Sequence, residues 1–235
     1  KISNSVVLDQ VNKIYELGTH DRQLSEKFAQ AMSILATDIK EEAIINIYGI
    51  DANYYCLTES LSWPILKEIV EEKLMADPEL VNDRMRELSL KLPVDSDIQI
   101  AIRFIEQSAL YYAQVRGLGT LKLNSTREYV EKYTEEFYLA DLYYRRTLEA
   151  FHELITKENP IEQTLSSAKR QLDLEYAKMT NVLNLEWLTC VAEKGAWFTE
   201  TGLKRQEDFY KNESDSSVKQ VVIVCDALRY EVAKE

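Results

Sequence analysis

The stretch Val221-Val222-Ile223-Val224-Cys225-Asp226-Ala227-Leu228-Arg229-Tyr230-Glu231-Val232-Ala233-Lys234-Glu235 decides how the chain is read. Residues 218–225 are short, β-branched and too apolar for a half-exposed strand, the pattern of a strand buried on both faces. Asp226 ends the run, and the residues after it read as a helix. An aspartate at the carboxyl end of a parallel strand stands where α/β enzymes place ligands and catalytic groups. Its hard oxygens suit a divalent cation. The simpler role for such a residue is to cap the helix that follows. The chain stops one helix into what is expected to be a larger α/β domain. Its start at Lys1, without Met, agrees with a piece excised from a longer protein.

Everything before that stretch reads as helix. Val7, Val11, Ile14 and Leu17 recur at helical spacing, and Gly18 stops them. Leu24, Phe28, Ala31, Met32, Leu35 and Ile39 give a second helix over 22–48. Pro64 and Pro78 sit near the starts of helices over 64–75 and 78–91, where proline is tolerated, and Pro93 ends the second. Ser96 or Asp97 caps a helix running to Arg116. Residues 117–124, with Gly117 and Gly119, form the clearest internal break. The Gly-x-Gly pair lacks the third glycine and the preceding strand of a nucleotide-binding loop. A tyrosine-rich helix follows over 126–155, and Asn159-Pro160 breaks the chain. From Ile161 to about Phe198 the apolar positions keep a helical period. A helix of roughly 35 residues spans about 50 Å, which suits a spine or a spacer between domains. Residues 212–217 are a polar linker.

Composition narrows the classes. Six Gly and four Pro in 235 residues disfavour a turn-rich all-β fold. Net charge is −12, and half of that excess falls in residues 51–100, with 5 basic against 11 acidic residues. Nonspecific nucleic-acid binding relies on Lys and Arg neutralising phosphates, so DNA contact is not expected of this chain. Cys56, Cys190 and Cys225 are widely spaced, without a CxxC or Cys/His cluster, which disfavours a zinc site within the chain. Reduced thiols fit a cytoplasmic protein. No membrane span or secretory signal is legible.

Few residues invite chemistry besides Asp226. His20 and His152 are far apart, each beside charges in a helical pattern. Glu71-Glu72 and Glu135-Glu136 are adjacent on helices and do not face each other. Arg229 can pair with a phosphate or a carboxylate, or anchor a surface ion pair. Glu231 has the same status, and Val232 and Ala233 read as core. The tyrosines near Arg127, Arg145 and Arg146 can stack on bases, but such residues more often pack helices together. Trp63, Trp187 and Trp197 read as core or interdomain anchors.

Asp226-Ala-Leu-Arg-Tyr-Glu231 after a Val/Ile strand resembles the opening signature of the PglZ domain. Asp141-Leu-Tyr-Tyr-Arg145, Asn184-Leu-Glu-Trp187 and Arg205-Gln-Glu-Asp-Phe-Tyr210 resemble, more loosely, the helical segments that precede it. The sharp match covers the last fifteen residues, the looser one 127–235, and residues 1–120 fit only by position. PglZ proteins are phosphatases or phosphodiesterases of the alkaline phosphatase superfamily, and components of BREX bacteriophage-defence systems. The resemblance implies that Asp226 matches the first metal-binding aspartate. It implies divalent metals, commonly zinc, in the full-length parent, and other BREX proteins as partners. The superfamily's Ser or Thr nucleophile and its remaining Asp/His ligands lie downstream of this motif and are absent. A catalytic metal needs about three protein ligands, so this chain alone is expected to bind none and to be inactive.

The expected architecture is mainly α: a multi-helix bundle or array with one long helix, closed by one strand and helix of a truncated α/β domain. The expected division is an N-terminal helical subdomain (1–120), a helical region with spine and linker (121–217), and the start of the α/β domain (218–235). A strand without a sheet partner must pair with something to satisfy its backbone. The rival reading is a helical protein-interaction scaffold without hydrolase activity. A third, from another class, is a nucleic-acid-binding module.

Overall fold

The computed structural model describes residues 59–91, 97–194 and 229–235, with scattered residues between 9 and 31. The expected strand at 218–225, the linker at 212–217 and Asp226 lie outside the described residues, as do His20, Trp197, Cys56, Cys225 and most of the first two expected helices. Among the described residues the secondary structure is helical, without strands. None of the described helices is long and apolar enough to cross a membrane.

Helix α1 (Glu59–Glu68) runs into a π-helical turn (Ile69–Lys73). It starts ahead of Pro64, so the proline is inside the helix rather than at its first turn. Helix α2 (Pro78–Lys91) follows, capped by Asp77, whose Oδ1 accepts from the Leu80 N–H at 3.2 Å. Helix α3 (Asp97–Gly117) matches its sequence-predicted span. Then come α4 (Thr126–Lys132), a second π turn (Tyr133–Phe137), α5 (Tyr138–Leu154) and α6 (Glu162–Lys194). A single short helix, α7 (Tyr230–Lys234), closes the described chain.

Helix α3 is the centre of the bundle. Ile98, Ile100, Ala101, Ile102, Phe104, Ile105, Ala109, Tyr111 and Tyr112 are all buried. A helix that is apolar on nearly every side must be covered on several sides. Helices α2 and α5 pack along it, with α1 against a third part. Phe104 meets Phe151 of α5 with ring centroids 5.7 Å apart. Polar ties fix the register. Gln99 Nε2 donates to the Ser89 carbonyl at 2.9 Å. Arg116 donates to the carbonyls of Met75 and Ala76, binding the end of α3 to the turn that leaves the first π segment.

The break expected at residues 117–124 is a loop over 118–125, just after the end of α3, with Gly119 at φ 66°, a left-handed conformation that favours glycine. One continuous core lies on both sides of it, from Trp63 to Met179. Tyr129 closes the loop: its hydroxyl donates to the Leu121 carbonyl at 3.1 Å and accepts from the Leu123 N–H at 3.1 Å. Ser125 caps the start of α4. Ser125 Oγ accepts from the Glu128 N–H at 3.2 Å, and Glu128 Oε2 reaches back to the Asn124 N–H at 2.9 Å.

Helix α6, 33 residues long, spans about 50 Å. It lies along the bundle as a spine, burying Leu165, Leu172, Met179 and Cys190 on one face.

Candidate functional site

The site that draws the described chain together is the seat of its last seven residues. The second π turn, Tyr133–Phe137, widens the helix between α4 and α5. Such insertions recur at functional positions. Tyr133 and Tyr138, at the two ends of that turn, both meet Tyr230. Ring centroids are 5.8 Å apart for Tyr133–Tyr230 and 5.5 Å, edge to face, for Tyr138–Tyr230. The Tyr230 hydroxyl donates to the Thr134 carbonyl at 3.2 Å. Aromatic pairs of this geometry favour a defined seat over a loose contact.

Beneath that seat is a layer of tyrosines held by aspartates. Asp141 uses both carboxylate oxygens: Oδ2 accepts from the Tyr133 hydroxyl at 2.7 Å and Oδ1 from the Tyr176 hydroxyl at 2.8 Å. Asp173 on α6 accepts from the Tyr144 hydroxyl at 3.0 Å and from Lys169 Nζ at 2.6 Å. Burial first, and then the neighbouring Asp141, hold the Tyr133 and Tyr176 hydroxyls well above the usual phenolic range. Burial, with Asp173, pushes Tyr144 up to about 12. Tyr111 is fully buried beside Tyr112, Tyr144 and Tyr176, and its hydroxyl has no hydrogen-bond partner. Burial also raises it far above its ordinary value.

Charge closes the far edge. Glu235 sits between Arg145 and Arg146 of α5. Oε1 accepts from Arg146 Nη2 at 2.5 Å and Nε at 2.8 Å, and Oε2 accepts from Arg145 Nη2. The Arg146 and then the Arg145 guanidinium hold the Glu235 carboxyl below the usual carboxylate range. Arg145 also donates to Glu149 at 2.6 Å.

The sequence-predicted site residues fall as follows. Arg229 is 63% exposed and pairs with Glu231, itself 1% exposed, with Nη1 and Oε1 3.5 Å apart. The charge of Arg229 favours the ionised form of Tyr176, and that of Glu231 opposes the ionised form of Tyr133. Val232 and Ala233, expected in the core, face outward instead. Helix α7 is one turn long and is anchored through Tyr230 and Glu235, which turns Glu231 inward and the two apolar residues away. Asp226 lies outside the described residues. Among the described residues no group of three or more His, Cys, Asp and Glu is placed to hold a metal.

The tyrosine-rich helix therefore packs helices together. Arg127 pairs with Glu131, and Arg145 and Arg146 with carboxylates. Glu71 and Glu72 are exposed, and Glu136 pairs with Lys132. His152 is exposed on α5. Sequence reading did not pick out Asp141 as the acceptor for two tyrosines or Glu235 as the partner of Arg145 and Arg146. The signals were there: an acid among tyrosines, and an Arg-Arg pair next to them. Pairing across 35 and 90 residues of separation leaves no local pattern. Comparison with models of protein families, with curated proteins and with solved structures returns no match.

Proposed function

We propose that this chain is the helical region of a PglZ-type, metal-dependent phosphatase or phosphodiesterase of BREX bacteriophage defence, and that its task is to hold the start of the hydrolase domain in place. One observation carries the reading. The motif that resembles the PglZ signature runs through Arg229–Glu231, and the residues from Tyr230 to Glu235 are seated on the second π turn and α5, where Glu235 meets Arg145 of the Asp141–Arg145 stretch read as similar to a helical segment preceding that domain. The ring contacts of Tyr230 and the double-arginine hold on Glu235 give the seat both shape and charge. Val232, 38% exposed, faces away from the bundle and offers an apolar contact to a following domain.

In this reading Asp226 is a metal ligand in the full-length parent, with zinc or another divalent ion completed by downstream residues. Arg229 and Glu231 join the first turn after the strand to the tyrosine layer. The enzyme works in the cytoplasm, and its partners are the other proteins of the defence system. The chain by itself has no phosphatase activity.

The test is phosphodiesterase activity of the full-length parent with zinc, manganese or magnesium, comparing wild type with Asp226→Ala. Metal-dependent activity lost in the variant supports the reading. Unchanged activity removes Asp226 from a metal site, and inactivity of both proteins favours a helical interaction scaffold.

A further inference from the structure

Arg145 and Arg146 are consecutive residues of α5, and both hold one carboxylate, that of Glu235. In a guanidinium, Nε and Nη2 form one edge, the fork that grips a carboxylate or a phosphate with two donors. Arg146 uses both donors of that edge on Oε1 of Glu235. Arg145 uses only Nη2, on Oε2. Its Nε is buried and has no hydrogen-bond partner. Four edge donors thus meet two oxygens, and one donor is left over. A buried donor without a partner is destabilising, and a carboxylate has no third oxygen to offer it. A phosphate group has three acceptor oxygens.

Charge points the same way. Among the described residues, the carboxylates paired with the two arginines are those of Glu235 and Glu149. Glu149 is held by Arg145 Nη1, off the fork edge. With Glu235 displaced, the two guanidiniums against Glu149 leave positive charge in excess. A long polyanion is the poorer fit, because the chain carries net charge −12 and repels an extended phosphate backbone. Glu235 competes from a tether, which gives it an effective concentration on the order of millimolar. A free carboxylate gains no bond by replacing it, whereas an oxyanion that also reaches Arg145 Nε makes one bond more. We infer that the Arg145–Arg146 fork is a binding site for a phosphate group, as the free ion or on a small molecule, and that this anion displaces Glu235 and loosens the end of α7. The site is built on α5 and does not depend on a hydrolase domain following the chain.

The test uses the 235-residue chain in phosphate-free buffer, with ionic strength held constant by chloride. Inorganic phosphate and glycerol phosphate are titrated and followed by phosphorus NMR. Hydrogen exchange of residues 231–234 reads the hold on α7, with acetate as the carboxylate control. Saturable phosphate binding that quickens this exchange is expected, while acetate at the same concentration leaves it unchanged. Glu235→Gln opens the fork and is expected to tighten phosphate binding about tenfold. Arg146→Gln is expected to weaken it about tenfold or more. Arg145→Lys keeps the charge but removes Nε, and is expected to abolish the advantage of phosphate over acetate. Arg146 and Glu235 are 38% and 35% exposed, so folding is expected to survive, and circular dichroism checks it. Binding of both phosphates assigns the fork to the phosphate end of a small molecule; binding of the inorganic ion alone assigns it to the free ion. The proposal is overturned if the Glu235→Gln chain shows no saturable binding or binds no more tightly than wild type. It is equally overturned if acetate acts as phosphate does, if binding survives Arg146→Gln, or if Arg145→Lys keeps the advantage over acetate.

Discussion

Tyr144 of α5 and Tyr176 of α6 stack face to face, with ring centroids 3.7 Å apart and planes 5° from parallel. Their hydroxyls point to different carboxylates, Tyr144 to Asp173 and Tyr176 to Asp141. Each helix thus holds a tyrosine of the other through an acid of its own. The spine and the tyrosine-rich helix are joined by this crossed pair, and the seat of Tyr230 is built on it.

Asp141 is the residue on which two hydroxyls depend. Asp141→Ala removes the acceptor for both Tyr133 and Tyr176 in a part-buried site. The expected loss is about 1–3 kcal/mol, measured as a lower urea midpoint with an unchanged m-value. A double-mutant cycle with Tyr176→Phe is expected to show coupling, because the two changes remove one shared bond.

Tyr111 makes the opposite prediction. Its hydroxyl is buried without a partner, so Tyr111→Phe removes a desolvated group and no bond. Stability is expected to stay level or rise by up to about 1 kcal/mol, whereas Tyr176→Phe lowers it. A fall on Tyr111→Phe comparable to that of Tyr176→Phe would sink this account of the layer.

Alkaline pH is expected to loosen the layer. Burial raises Tyr112 and Tyr144 to about 12, above the ordinary value of 10.0. The folded state thus keeps these protons when the unfolded chain has lost them. Their contribution to stability is fully present below pH 10 and is lost as pH rises towards 12. Tyrosinate absorbance titrated with pH is expected to show a late, cooperative group that coincides with unfolding.

The α7 seat is expected to open in two steps. Glu235→Gln leaves Tyr230 in place but frees Arg145 and Arg146. Hydrogen exchange of residues 231–234, where the Ala233 N–H donates to the Arg229 carbonyl at 3.1 Å, is expected to quicken moderately. Tyr230→Ala quickens it to the level of an unstructured segment. Raised salt reproduces the first effect and not the second, because an exposed ion pair is screened and an aromatic seat is not.

Within the central helix, Ile105→Ala leaves a cavity at a position that is 0% exposed. A loss of about 2–5 kcal/mol is expected, read by chemical denaturation. The same change at Leu90, 88% exposed, is expected to cost less than about 0.5 kcal/mol.

Local chemistry in the amino-acid sequence determined the helices. The helix start near Pro78, the helix from Asp97 to Arg116, the break that follows it and the helical period from Ile161 are all read within a few neighbours, and the described elements follow them. The expectation that Asp226 is a metal ligand rests on the same kind of local reading, and Asp226 lies outside the described residues. Tertiary structure alone decided which charges and rings meet. Asp141 finds Tyr176, Glu235 finds Arg145 and Arg146, and Tyr230 finds Tyr133 only after α5, α6 and α7 have packed. It also turned Glu231 in and Val232 out, against the hydrophobic order of the residues, because a one-turn helix takes its orientation from its anchors rather than from its own apolar face. Periodicity reports which side of a helix prefers to be covered; what covers it is settled by pairings far apart in the chain, where a sequence has no spacing to show.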